Sequence, residues 1–262
     1  MIKRITRQLE FDRDLVLADA RKEIARRLEQ PARRSFLRRS LTLGGLSLLS
    51  GCAITDENSV ETALMQVSRF NDKVQGWLFD STRLAPTYPD SMITRPFPFN
   101  AYYGEDEIRE IEEEGYRLEV TGLVADKRTW TLAELRAMPQ ADQVTRHICV
   151  EGWSAIGKWG GVPFADFLRR VGADLSAKYV GFKCADDYYT SIDMPTALHP
   201  QTLLTLTYDS QPLPPRYGFP MKLRMPTKLG YKNPKHIQAI FVTNTYPGGY
   251  WEDQGYNWFG GS

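Results

Sequence analysis

Apolar residues recur at helical spacing between Asn58 and Asp80. Val60, Ala63, Leu64, Val67, Phe70, Val74, Trp77 and Leu78 fall on steps of three and four. The spacing predicts one helix, with Asn58 and Glu61 as a capping-box-like start. Pro86, Pro89, Pro96 and Pro98 then predict an irregular connector over about 83–104. From Tyr116 onward the period shortens. Arg117–Val124 reads as a strand turning at Gly122, and Thr131–Met138 as a short helix with a capping box from Thr131 to Glu134. Thr145–Val150 is β-branched and strand-like, and Pro163–Val171 is helical with proline in the first turn. Lys178–Cys184 and His236–Asn244 complete the expected strands, and Gly152, Gly157, Gly160 and Gly161 read as a glycine-rich turn. There is no internal repeat. The pattern predicts one mixed α/β (α+β) domain of about 160–180 residues behind an N-terminal helix.

Charge divides the chain differently. The formal net charge is +1, but residues 1–39 hold 12 Lys/Arg against 6 Asp/Glu, and no charge lies between Ser40 and Gly51. The remaining body is acidic at −5. A cationic head followed by the short apolar run LTLGGLSLLSG is a targeting pattern, well short of the roughly 20 residues that span a bilayer. Arg33 and Arg34, with Phe36 and Leu37 behind them, resemble a twin-arginine export signal, which implies a periplasmic destination. Leu49-Ser50-Gly51-Cys52 resembles a lipobox, which implies a lipid anchor at Cys52. The expected division is a signal segment with a long n-region at 1–51, a tether, helix and proline-rich connector at 52–96, and the functional domain at 97–262.

The acidic body contains a basic window. Ser210 to Trp251 holds no Asp or Glu, yet carries Arg216, Lys222, Arg224, Lys228, Lys232 and Lys235. Prolines and glycines interleave these cations, so backbone N–H groups can join them around an anion. A solvated basic face is the other reading. The acidic body would repel a long polyanion, so nucleic acid is not expected, and a small phosphorylated cofactor fits better. Three cysteines without a CxxC or CxxCH exclude paired-cysteine zinc sites and c-type haem. Cys149, in RHICVEGWS, is either a small core hydrophobe or a nucleophile served by His147, and three histidines scattered at 147, 199 and 236 give a zinc site little support.

Cys149-Val150-Glu151-Gly152-Trp153-Ser154 resembles the molybdenum-ligand motif of the sulfite-oxidase superfamily, most of all its periplasmic protein-methionine-sulfoxide reductase catalytic subunits. Three further segments lie in the same order: Pro98–Gly104 with its Asn-x-x-Tyr, Pro214–Pro226, and Lys228–Ile237. The resemblance implies a sulfite-oxidase-type molybdopterin-binding domain holding a molybdenum–molybdopterin (Mo-MPT) cofactor. It implies that Cys149 ligates the metal and is catalytic. It further implies that Asn100, Tyr103, Gly104, Cys184, Tyr217, Lys222, Asn233, Pro234 and Lys235 bind the pterin or its phosphate. The chain departs from the pattern at Cys184 (usually Thr), Tyr217 (usually Asn or His) and Lys222 (usually Arg), the last losing bidentate geometry.

The expected activity is two-electron oxygen-atom transfer, as reduction of small-molecule or protein-bound S- or N-oxides. Electrons would come from an external carrier, a haem membrane subunit in the look-alikes. The alternatives are a sulfite-oxidase-like oxidation, or a non-enzymatic lipoprotein binding an anion through the basic window. Trp153 and Trp159 read as packing residues and His199 as a helix-end residue. Asp186 to Tyr189 read equally as a funnel wall or a plain turn.

Overall fold

The computed structural model describes residues 57–262, and the chain divides into compact units Met1–Ala63 and Leu64–Ser262. The twin-arginine segment and the Cys52 lipobox lie outside the described residues. Helix α1 (Glu57–Leu78) starts one residue before the expected helix and ends two sooner. Asn58 therefore stands inside its first turn, and the side chains of Asn58 and Glu61 are outside the described set. The proline-rich connector is irregular as expected, but it is stitched to the body. Tyr88 N donates to Val144 O at 3.0 Å and Thr94 N to Ile156 O at 2.9 Å.

The body follows in chain order as β1 (Leu118–Gly122), β2 (Thr129–Trp130), α2 (Leu132–Arg136), β3 (Ala141–Ile148), β4 (Ser154–Pro163), α3 (Phe164–Arg170) and β5 (Tyr179–Cys184). Then come β6 (Tyr189–Asp193), α4 (Met194–Ala197), β7 (Leu203–Tyr208), β8 (Gln211–Pro212), β9 (Lys222–Arg224) and β10 (Ile237–Thr243). One sheet runs β2-β1-β10-β5-β6, with β1 and β10 parallel and the other neighbours antiparallel. The second runs β3-β4-β7-β8, with β9 added to β7.

Alternation explains the first sheet. In β1, Leu118 and Val120 face inward while Glu119 stays in water. The core joins both sheets: Leu118, Val180, Phe182 and Ile240 from one pack with Val162, Leu204 and Leu223 from the other, around Phe164, Phe167 and Leu168 of α3. The capping box of α2 forms: Thr131 Oγ1 accepts from Glu134 N at 3.2 Å, and Glu134 Oε2 accepts from Thr131 N at 2.9 Å. Pro163 is the N-cap of α3 rather than its first helical residue.

The expected glycine-rich turn is corrected. Only Gly152 turns; Gly157, Gly160 and Gly161 lie within the ten-residue strand β4. They are glycines for want of room: a Cβ on Gly161 would stand 1.9 Å from Leu204 O of the neighbouring strand. The strand expected at Thr145–Val150 begins earlier, at Ala141, and ends at Ile148, which leaves Cys149 just beyond it.

Candidate active site

Cys149 is held by a tight turn at the end of β3. Its N–H donates to Trp153 O at 2.9 Å, and its carbonyl accepts from Gly152 N at 3.2 Å. Gly152 supplies the φ of +93° that this turn requires. Asn100 Nδ2 approaches the thiol sulfur to 3.4 Å, and Glu151 Oε2 lies 3.6 Å from it. The same Asn100 amide is 3.4 Å from His147 Nε2, while Trp153 Nε1 donates to Glu151 at 3.0 Å. His147 thus meets Asn100 and makes no hydrogen bond to the thiol. Burial, then Arg224, Lys222 and Lys235, hold its imidazole pKa well below the ordinary value. A cysteine–histidine nucleophile pair does not form. Burial also raises the Cys149 thiol.

A cavity of about 270 Å³ opens onto this sulfur. Asn100, Cys149, Lys222, Asn233, Pro234 and Lys235, all expected site residues, line it. The others stand outside the lining. Tyr103 donates to Asp186 Oδ2 at 3.2 Å, and so lies one residue behind the wall. Gly104 is exposed and caps the short 3-10 turn Glu105–Glu107. Cys184 ends β5 in the core, its thiol pushed well up by burial and then Asp186. Tyr217 donates to Phe97 O at 2.9 Å within a cluster of Phe97, Trp159 and Tyr208.

Several lining residues came from the structure alone. Tyr102, Tyr231, Trp251 and Tyr256 form an aromatic wall, with Glu151 near the sulfur. Asp186 and Tyr188 also line the cavity, although they belong to a turn in which Cys184 N donates to Tyr188 O at 2.9 Å. The funnel wall and the plain turn are therefore the same feature. Trp251 and Tyr256 belong to the aromatic C-terminal segment, whose role no local spacing reveals.

The basic window is neither a solvated face nor a uniform anion site. Lys222, Arg224, Lys228 and Lys232 are all buried. Arg216 pairs with Glu105 at 3.2 Å, Lys228 Nζ donates to Phe259 O at 2.9 Å, and Lys232 is ion-paired with Glu252. Only Lys222 and Lys235 line the cavity. Arg224 stands behind them, donating to Asn233 Oδ1 at 3.3 Å and to Arg146 O at 2.7 Å. Lys222 has no oxygen partner among the described residues; its ammonium lies 5.0 Å from the Trp159 ring. Burial, then Lys235 and Arg224, drive its pKa well down, and burial brings Lys235 to about 8. Lys235 donates to Arg216 O at 3.0 Å, whereas a buried cation without an acceptor, as Lys222 is among the described residues, is costly unless something supplies the anion.

The donors fit a metal carried on an anionic organic group. Among the described residues no cluster of three or more His, Cys, Asp or Glu could hold a metal ion, so Cys149 offers a single thiolate. Lys222, in the same cavity lining, offers an unspent charge. Room is kept by Gly218 and Gly230. Gly218, at φ +115°, lets Lys235 Cβ and Lys222 Cβ come within 2.9 and 3.2 Å of where its own Cβ would be. A Cβ on Gly230 would lie 2.8 Å from His147 Nε2 and 3.0 Å from Asn100 Nδ2.

Fold and site together present one thiolate in a cavity lining that also holds Lys222 and Lys235, a donor set that suits a metal carried on an anionic cofactor. The oxidoreductase molybdopterin binding domain model matches residues 105–251, and the chain belongs to that family, with Mo-MPT as its cofactor. It is 77% identical to a putative protein-methionine-sulfoxide reductase subunit YedZ1 of Azospira oryzae over 95% of each chain. It is 32% identical to the protein-methionine-sulfoxide reductase catalytic subunit MsrP of Ralstonia nicotianae, over 55% of this chain and 49% of that relative. The chain thus spans about half the length of that more distant relative. The sulfane dehydrogenase SoxCD of Paracoccus pantotrophus shares the fold, with TM-score 0.50 and 18% identity over 53% of this chain and 40% of that one. Membership of an oxidoreductase family sets aside the anion-binding lipoprotein.

Proposed function

We propose that this chain is an exported reductase of S- or N-oxides, with methionine sulfoxide the first substrate to test. The observation that carries the reading is Cys149 in the lining of an aromatic-walled cavity, with Asn100 and Glu151 beside its sulfur and Lys222, unpaired among the described residues, in the same lining. Two similar proteins named as methionine-sulfoxide reductase subunits support the substrate class. When bound, Mo-MPT supplies the two-electron oxygen-atom chemistry.

The chain supplies binding, orientation and exclusion of water. Cys149 holds the metal as its thiolate, and Asn100 directs an amide N–H at that sulfur. Lys222, Asn233, Pro234 and Lys235 hold the anionic part of the cofactor. The contributions of Tyr103, Gly104, Cys184 and Tyr217 are made from behind the cavity wall, through Asp186, the loop before Glu105, the core and Phe97. The Tyr102, Tyr231, Trp251 and Tyr256 rings suit the polarisable sulfur and methyl group of a thioether product. Glu151 is placed to hold a proton close to the reacting position.

Residues 97–262 act as the cofactor domain, 52–96 as tether, helix and connector, and 1–51 as the twin-arginine signal, with delivery to the periplasm. Both relatives' names include "subunit", which supports an external electron carrier, in our reading a haem membrane subunit. No described helix is long and apolar enough to cross a membrane.

The test is turnover on a panel of sulfoxides, N-oxides and sulfite with artificial donors and acceptors, together with metal analysis of Cys149→Ser. Sulfoxide reduction, and a folded Cys149→Ser variant without molybdenum or without activity, is the expected result. Sulfite oxidation as the dominant activity would overturn the direction. Wild-type turnover by Cys149→Ser would overturn the site.

A further inference from the structure

Helix α1 meets its domain with the wrong side for a soluble helix. Asp72 accepts from Asn257 Nδ2 at 2.7 Å and from Phe259 N at 2.9 Å. One turn on, the site of a Gly76 Cβ lies 3.7 Å from the Phe259 ring, and Phe79, just past the helix end, meets that ring edge-on at 5.6 Å. Residues 72, 76 and 79 share one face by helical spacing. The opposite face carries Val67, Phe70, Val74, Trp77 and Leu78, at steps of three and four. Val67, Phe70, Trp77 and Leu78 are 57%, 65%, 82% and 67% exposed. A surface helix ordinarily turns this stripe to the core.

The charges follow the same division. Between Leu64 and Leu78 Asp72 is the sole acid, and it is turned to the domain. Arg69 and Lys73 are exposed along one flank of the stripe. An aromatic and aliphatic face, flanked by cations and free of acid, matches a helix lying in the headgroup layer of a membrane. Leu78 borders a recess that it shares with Phe79, Leu84 and Phe259, while Phe70 and Trp77 stand on the open surface of a single helix, which is what a bilayer surface needs. The helix also begins five residues after Cys52, which closes the short apolar run of the leader.

We propose that this face of α1 seats the protein on an anionic lipid bilayer, in the plane of the headgroups, whether or not Cys52 carries lipid. The proposal rests on the export reading above, but its readout is independent of catalysis. Holoenzyme carrying Cys52→Ser, so that no acyl chain contributes, is sedimented with vesicles of phosphatidylethanolamine and phosphatidylglycerol, and with phosphatidylcholine vesicles for comparison. Binding to the anionic vesicles is expected, weakened by salt and by Lys73→Glu. The double substitution Phe70→Gln/Trp77→Gln is expected to reduce binding by about tenfold or more, because the buried apolar area drives such helices into the interface. Sulfoxide turnover with a soluble donor should be unchanged, since neither residue lines the cavity. No vesicle binding, or binding that survives the double substitution, overturns the proposal. Self-association that the double substitution abolishes, with vesicles ignored, overturns it in favour of a second copy on this face. Loss of sulfoxide turnover in the parent enzyme, with vesicle binding intact, would instead count against the proposed reaction.

Discussion

Lys222 and Lys232 stand ten residues apart in the same acid-free window, and both are buried, yet their charges are used in opposite ways. Lys232 is fully partnered: its ammonium pairs with Glu252, donates to Ser191 O at 2.7 Å and reaches Thr190 Oγ1 at 3.2 Å. Those contacts fasten the segment that carries Trp251 and Tyr256 over the cavity. Lys222 has no oxygen partner among the described residues and lines the cavity itself. One lysine spends its charge on the protein, and the other is the one we propose keeps it for the cofactor. A buried cation is therefore not a candidate site by itself; an unspent one in the same cavity lining as a thiol is.

The sharpest way to break this comparison is to remove the spent charge. Lys232→Met leaves Glu252 buried without its cation, and breaking such a pair costs about 3–5 kcal/mol. Denaturant unfolding should show that loss, and Lys232→Met/Glu252→Leu should recover most of it, because an apolar pair of similar volume replaces a buried ion pair at little cost. If the single variant unfolds like the wild type, Lys232 is not the latch.

Gly230 is next, because it lies where the two halves of the window meet. It opens the 3-10 turn that ends in Lys232, yet its Cα faces His147 and Asn100. Gly230→Ala forces those side chains away from Cys149, an overpacking cost of about 1–3 kcal/mol. Molybdenum content and turnover should fall together, with the fold intact by circular dichroism. Unchanged turnover would show that the cavity wall tolerates a methyl group and that the Asn100 contact is not needed.

Lys222→Met should have a smaller and inverted effect. The cofactor-free protein should be no less stable than wild type, since a buried ammonium lacking an acceptor is removed. Molybdenum retention should fall about tenfold, equivalent to about 1.4 kcal/mol. Lys222→Arg should retain more metal than Lys222→Met, as it keeps the charge. A stability loss in the cofactor-free Lys222→Met protein would show that its charge is spent on the fold after all.

How much of this could be read from residues alone depends on how local each feature is. The α2 cap, the α1 period and the strands around Val120 and Ile240 are encoded within a few residues, and each lies close to its expected bounds. The Cys149 motif is also contiguous. β4 was not legible, because glycines that signal a turn locally are demanded there by the neighbouring strand β7. The division of labour within the basic window was hidden for the same reason. Glu252 and Phe259, which take up Lys232 and Lys228, lie beyond it in the chain, and charge counting cannot tell which cation finds a partner. The aromatic wall joins residues as distant as Tyr102 and Tyr256, which only the closed fold brings together.

Thr131→Ala gives the smallest effect and the cleanest control on the comparison. It removes the hydroxyl that accepts from Glu134 N, at a cost of about 1 kcal/mol, the usual value for losing an N-cap. Neither Thr131 nor Glu134 lines the cavity, so the whole effect should fall on unfolding, with metal content and turnover unchanged. Because Thr131→Ala destabilises without touching the site, it separates general loss of stability from loss of the cofactor's holding groups. If it lowered metal retention as far as Lys222→Met does, retention would be reporting overall stability, and the special status of Lys222 would be lost. If it lowers only the unfolding midpoint, the metal deficit of Lys222→Met belongs to its charge.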